Sequence, residues 1–345
     1  MRWSLTWIRE RLIAAYAPRM DVVSDAISAV RVGSPSANRT RASGSWATRL
    51  PAYEGAGFHV VLAGSCQLLL DEGRRRIPLG PGDVALLPHG SAHLLADARA
   101  EGARAVERAV DFERWLATRP AAFDAEAEAE PGVDTEAGAG ADVEVMCGKY
   151  RLDRAQAHPL LAELPDVVHL PARPDRHPEL RAALGLLAHE TQGEAGGRPG
   201  GDIAVPGLLD LLLVYSIRAW LADRAEAGAP GWAPALRDPA VATALRLLHS
   251  DPAHPWTNDR LAARAGVSRA TLARRFTPLV GRPPMAYLSW WRVTRAAALL
   301  REGGAPLDAI ARRVGYGSPY ALSHAFSREF GTTPGRYRAR AGGKR

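Results

Sequence analysis

The feature that most constrains this chain is an internal repeat near its C-terminal end. Leu261-Ala262-x-x-Ala265-Gly266 recurs 49 residues on as Ile310-Ala311-x-x-Val314-Gly315. After one inserted residue, Ser268, Leu272, Phe276, Gly281, Pro284 and Tyr287 recur 50 residues on as Ser318, Leu322, Phe326, Gly331, Pro334 and Tyr337. A shared repeat signifies one supersecondary unit used twice. Each copy reads as a helix-turn-helix. Thr257 can cap the first helix, whose Leu261 and Ala262 face inward, and Gly266 can take the backbone geometry of the tight turn. Ser268 then caps a second helix in which Leu272 and Phe276, four apart, share one face and pin it to a core. That leaves Arg269, Ala270, Ala273 and Arg274 on the outer faces. In the second copy Leu322 and Phe326 are the buried pair, and Pro319, Tyr320, Ser323 and His324 face out.

Charge singles out the same region. The 345 residues carry 44 Lys+Arg and 37 Asp+Glu, a formal +7. Gly231 to Arg345 holds 19 basic and six acidic residues, a net of +13, which leaves 25 basic and 31 acidic residues, a net of −6, in the first 230. Such asymmetry points to a nucleic-acid-binding end, against the plainer reading of a solvated basic surface on a helical bundle or a protein-interaction repeat. Between the copies, Tyr287 to Glu302 carries a helical pattern long enough to act as a rigid spacer. Two outward helices held about 34 Å apart would enter successive major grooves on one face of double-stranded DNA.

The rest of the chain differs in kind. Met1 to Met20 reads as an extension without a continuous apolar segment of the signal-peptide type. Asp21 to Val32 fits a short helix leading into a strand, followed by a polar stretch from Gly33 to Gly44. Short β-type runs come next, at Phe58 to Leu62, Cys66 to Leu70, Arg75 to Leu79 and Val84 to Pro88, separated by Gly-rich turns, and suggest an antiparallel barrel or sandwich. Residues 117–143 are acidic and poor in large apolar side chains, which reads as a flexible insertion, and Val143 to Leu152 as a further strand. Pro178 to Thr191 and Val205 to Ala222 read as helices. The second is apolar around most of its circumference, so it is buried within its domain or against a second copy of itself. Its apolar core is short and broken by Asp210, which argues against a membrane span.

With Ile310-Ala311-Arg312-Arg313-Val314-Gly315-Tyr316, Ser318, Phe326, Phe330-Gly331-x-x-Pro334 and Tyr337-Arg338, the basic end resembles the AraC family of bacterial transcription regulators. The resemblance implies that Arg274, Tyr320, Ser323 and His324 face base edges, while Arg269, Arg275, Ser318 and Arg328 hold phosphates. Pro319, in the first turn of its helix, has no backbone hydrogen to donate to DNA. Gly82-x5-Pro88-x-Gly90-x2-His93 matches the second cupin motif, and the first half resembles the cupin-type sensor of one AraC subgroup. The expected fold is therefore an all-β cupin jelly-roll barrel at 21–170, a helical connector at 171–224 suited to dimerisation, a linker at 225–236, and an all-α domain with two helix-turn-helix units at 237–340.

His59 and His93 are the candidate effector-pocket residues of that barrel. Two histidines fall short of the three or four ligands of a tight transition-metal site, so neither a metal nor another cofactor is expected, and no catalytic residue is assigned. A cupin metalloenzyme fused to a nucleic-acid tether is the alternative. Cys66 and Cys147, the only thiols, read either as small buried hydrophobes or as an oxidant sensor, the latter requiring thiolate character that Lys149 or Arg151 would supply to Cys147. Two cysteines and the lack of a signal-peptide or spanning segment point to the cytoplasm away from membranes, the apolar helix to a homodimer, and the expected partners are double-stranded DNA, a small-molecule effector or oxidant, and RNA polymerase.

Overall fold

The computed structural model describes residues 21–117, 143–152, 158–192 and 198–342. The N-terminal extension and residues 118–142 of the acidic insertion lie outside them. The chain divides into two units, Val30–Ala229 and a second in which Pro230–Arg345 groups with the segment ending at Ala29.

Helix α1 (Val22–Val30) opens on Asp21, whose carboxylate accepts the backbone N–H groups of Val23 and Ser24 at 3.0 Å. The strands follow as β1 (Ser36–Ala42), β2 (Ala47–Leu50), β3 (Gly55–Ala63), β4 (Cys66–Leu70), β5 (Arg75–Leu79), β6 (Val84–Leu87) and β7 (His93–Asp97). Helix α2 (Gly102–Arg108), β8 (Val110–Asp111), α3 (Phe112–Ala117), β9 (Val143–Arg151), α4 (Pro159–Ala162) and β10 (Val168–Leu170) complete the barrel. One sheet runs β1-β9-β3-β6-β10 and the other β5-β4-β7-β2-β8. Their inner faces meet in a core that includes Trp46, Val61, Leu68, Leu87, Leu95, Trp115 and Val145. Within the cupin motif, Gly90 has φ +58, and a Cβ there would lie 2.4 Å from the Tyr53 carbonyl oxygen, so only glycine fits the turn that delivers His93 to the start of β7.

One polar stretch proved to be structured. β1, Ser-Ala-Asn-Arg-Thr-Arg-Ala, pairs along its whole length with β9. Hydrophobic patterning misses it because it is an edge strand, whose outward Arg39 and Arg41 share the Glu144 carboxylate at 2.6 and 3.1 Å. Helices α5 (Pro178–Glu190) and α6 (Gly201–Glu226) pack on the barrel unit. α6 runs four residues beyond the sequence expectation at each end, and by length and composition alone it could cross a membrane. Instead Leu209, Leu212, Leu213 and Ile217 are buried, the Tyr150 hydroxyl donates to the Leu209 carbonyl at 2.6 Å, and Asp210 pairs with Arg31 at 2.5 Å.

The helical unit continues with α7 (Trp232–Arg237), α8 (Pro239–Ser250), α9 (Asn258–Arg264), α10 (Arg269–Val280), α11 (Pro284–Glu302), α12 (Leu307–Val314), α13 (Pro319–Phe330) and α14 (Pro334–Gly342). The expected linker at 225–236 is shorter than its composition implies. α6 reaches Glu226, and Trp232, Ala233 and Ala235 are already buried in α7. The repeat is structural as well as sequential. Phe276 and Tyr287 meet edge-on at 5.9 Å and 72°, and their repeat partners Phe326 and Tyr337 at 5.4 Å and 69°. All four buried repeat residues, Leu272, Phe276, Leu322 and Phe326, are at most 1% exposed. Phe276→Ala and Phe326→Ala are each expected to cost about 3–5 kcal/mol in chemical unfolding of the helical unit, with the barrel transition unmoved.

Candidate nucleic-acid interface and barrel site

Each outward helix is positioned by a cap and an inward pair. The Thr257 hydroxyl accepts the Arg260 N–H at 3.2 Å, Ser268 that of Thr271 at 3.1 Å, and Ser318 that of Ala321 at 3.1 Å. Gly266 and Gly315 take the positive φ of the two turns. At Gly315 a Cβ would also stand 2.7 Å from the Ala253 Cα. With Leu272 and Phe276 facing the core, Arg269, Ala270, Ala273 and Arg274 are exposed on α10. On α13, Tyr320 is 80% exposed, His324 is exposed and Ser323 half-buried. A large aromatic ring left in solvent at the first turn of such a helix is unusual, because burial would stabilise it.

The residues expected to hold phosphates divide. Arg328 is exposed, and Arg269 pairs only loosely with Asp259, at 3.8 Å with both side chains largely in solvent. Arg275 reaches back to Asp238 at 3.4 Å, and Asp238 itself caps α8 through the N–H groups of Ala240 and Val241. Ser318 spends its acceptor on the α13 cap while its O–H stays available to donate. Sequence reading missed Arg260, Arg264, Arg312 and Arg313, which are exposed on the first helix of each unit. It also missed Arg282, whose 3.2 Å contact with Glu329 ties the turn after α10 to α13.

In the barrel, His59 on β3 lies opposite Cys147 on β9. Its Nδ1 is 3.1 Å from the Cys147 Sγ, its Nε2 is 2.7 Å from His93 Nε2, and His93 Nδ1 is 2.8 Å from the Ser91 carbonyl. A carbonyl only accepts, so His93 Nδ1 carries a proton; neutral His93 then accepts at Nε2 from His59, whose Nδ1 accepts the Cys147 S–H. The proton assignments thus form one directed chain from thiol to carbonyl with every member neutral. Burial accounts for this. It holds His59 well below the ordinary histidine range, helped by His93, and lowers His93 to about 4. The same burial pushes the Cys66 thiol up to about 12, with Asp83 adding to it, and raises Cys147 further.

The thiolate required for oxidant sensing is therefore missing, because Lys149 and Arg151 extend into solvent while Cys147 faces inward. Cys147 also lines an apolar pocket with Trp46, Leu95, Phe112, Trp115, Val143 and Val145, whereas His59 and His93 are occupied with one another and do not line it. Among the described residues no group of three or more His, Cys, Asp and Glu side chains is placed to hold a metal.

Two expectations follow from this neutral chain. Iodoacetamide should label Cys66 and Cys147 in the native protein at least about a hundredfold more slowly than in urea-unfolded chain, followed by mass spectrometry. Below the ordinary histidine value of about 6.5, the unfolded chain takes up protons that His59 and His93 refuse in the barrel. Barrel stability is thus full above that value and falls as the pH drops towards about 4, measurable as a declining urea midpoint that His93→Asn flattens.

Comparison with known proteins gives a family for each half of the chain. The Cupin family matches residues 21–222, and a helix-turn-helix domain matches residues 261–340. An AraC-like transcription regulator of Streptomyces antibioticus is 36% identical over 92% of this chain and 98% of its own length. The transcriptional regulator AlkR of Acinetobacter baylyi is 28% identical over 92% of this chain and 99% of its own. Among solved structures, the DNA-binding domain of AdpA in complex with a target DNA is 36% identical over 31% of this chain and 96% of that chain, at a TM-score of 0.30. The chain accordingly belongs to the AraC-like transcription regulators, with an N-terminal cupin domain and a C-terminal DNA-binding helix-turn-helix domain.

Proposed function

We propose that this regulator reads its operator with both repeat units, and that the barrel adjusts that grip in response to a small-molecule effector. The observation that carries the reading is the pairing of two equivalent aromatic cores with two helices whose outward side chains, Arg274 on one and Tyr320, Ser323 and His324 on the other, are left free of the core. Arg274 has the forked geometry for a guanine edge, and His324 and Ser323 can donate to or accept from a base. Arg269, Arg328 and the O–H of Ser318 hold phosphates. Arg275 does so after release from Asp238.

An effector changes DNA binding only if it prefers one of two states of the chain. Leu186 on α5, with Ile203 and Leu211 on α6, are exposed apolar side chains on adjacent helices and support a homodimer formed through that pair. The chain works in the cytoplasm as a regulator rather than an enzyme, with RNA polymerase as a further partner.

Duplexes selected by the full-length protein test the base assignment. Arg274→Ala and His324→Ala are each expected to lose about 1–3 kcal/mol on the selected site and to relax preference at one position, while Arg328→Ala weakens all duplexes alike and lowers the salt slope by about one. Uniform weakening by the first two would remove them from the base-reading set.

A further inference from the structure

The helical unit has an element that its C-terminal sequence does not contain. Helix α1, through Ala29, belongs to it, and Asp25 is 2% exposed there. The Asp25 carboxylate accepts from Nδ1 of His249 on α8 at 2.7 Å, and Nε2 of His249 stands 2.7 Å from the Tyr287 hydroxyl. His249 is 2% exposed and stacks on Trp291 at 4.2 Å. Its Nδ1–H is committed to Asp25, and burial keeps the ring neutral, so Tyr287 donates and Nε2 accepts. At the other end of α1, the Ala29 carbonyl accepts from Arg301 Nη2, and Arg301 Nη1 donates to the Tyr337 hydroxyl at 2.6 Å.

Tyr287 and Tyr337 are the equivalent positions of the repeat, and each lies edge-on against the phenylalanine that anchors its own outward helix, Phe276 on α10 and Phe326 on α13. One nine-residue helix therefore reaches both anchors, one through Asp25 and His249, the other through the Ala29 carbonyl and Arg301. We propose that α1 is a brace that sets the two DNA-reading helices relative to each other, with Asp25 and Arg301 as positioning residues for recognition of a two-part operator. The chemistry suits that role. The Asp25, His249 and Tyr287 side chains are buried and directional, so losing one partner strands the others away from water, and the geometry is held in one arrangement.

The inference rests on the reading that both helices engage DNA. Its test uses the full-length protein and a duplex selected by it, alongside the same duplex with one base pair inserted between the two half-elements and a duplex bearing one half-element only. An inserted pair turns one half-element by about 36° and moves it about 3.4 Å. The wild type is expected to lose about tenfold or more in affinity on the insertion, and Asp25→Ala combined with Arg301→Gln less than about threefold, with half-element binding unchanged. Asp25→Asn, which keeps an acceptor for His249, should restore the wild-type response when Arg301 is intact. An unchanged insertion penalty in the double variant overturns the brace, as does equal loss on full and half duplexes, which would mark simple destabilisation. A wild type indifferent to the insertion would instead sink the two-helix reading.

Discussion

The edge-on contact between a phenylalanine and a tyrosine, made once in each repeat unit, is the interaction on which the DNA-binding half depends. Phe276 and Phe326 fix the rotation of α10 and α13 about their own axes, and that rotation decides which side chains face out. The tyrosines stand at the start of α11 and within α14, so the long helix between the units is more than a spacer. Tyr287, Leu288, Trp290, Trp291, Val293, Ala296 and Leu300 are buried along it. It serves the first core with its first turns and the second with its last. A helix of 19 residues spans about 28 Å, so one rigid element carries both cores without a hinge between them.

The barrel solves a different problem, which is how to hold three titratable side chains where water does not reach. A buried ion there would need a partner of opposite charge, and the bonds of this chain among the described residues run to a thiol, two imidazoles and a carbonyl. Cys147, His59 and His93 instead hand protons along one direction to the Ser91 carbonyl. Such a chain is satisfied only with every member neutral. Residues singled out for different reasons share this interior: the cupin motif places His93, and antiparallel register places Cys147 opposite His59.

Much of this was legible in the chain because local signals agreed. The strands Cys66–Leu70 and Arg75–Leu79 coincide with their expected limits, since the Asp71-Glu72-Gly73 turn leaves little freedom for register. The caps Thr257 and Ser268 and the buried pairs of the repeat were readable for the same reason. β1 was not legible, because an edge strand with an arginine-rich outward face carries no hydrophobic period. Nor was the destination of α1. A short apolar helix announces that it is buried but not against what. A signal was present: Asp25 sits among Val22, Val23, Ala26, Ile27 and Val30, and a carboxylate within an apolar face calls for a distant buried donor. His249, in the equally apolar face of α8, is that donor. Two misplaced polar residues on separate apolar helices are a testable pairing even without coordinates.

The net charge of the C-terminal region also changes meaning once each arginine has an address. Arg292 is spent on the carbonyls of Pro252 and His254 at 2.6 and 2.9 Å, Arg338 on that of Ala305 at 2.6 Å, and Arg301 on Tyr337 and Ala29. Arg275 and Arg282 answer Asp238 and Glu329. These side chains order loops and join helices, and two of them, Arg275 and Arg282, already face a carboxylate before DNA arrives. Exposed cations lie on α9, α10, α12 and α13, the helices of the two repeat units, and also at Arg237, Arg246, Arg336 and Arg340 outside them. A count of +13 therefore overstates the counterion release that DNA binding would produce. Guanidinium is suited to both duties, since the same planar fork that matches a phosphate or a guanine edge also bridges two carbonyls inside a protein. That double use is why composition pointed to nucleic acid, while only the pairing of each arginine separates those that grip from those that hold the gripping helices in place.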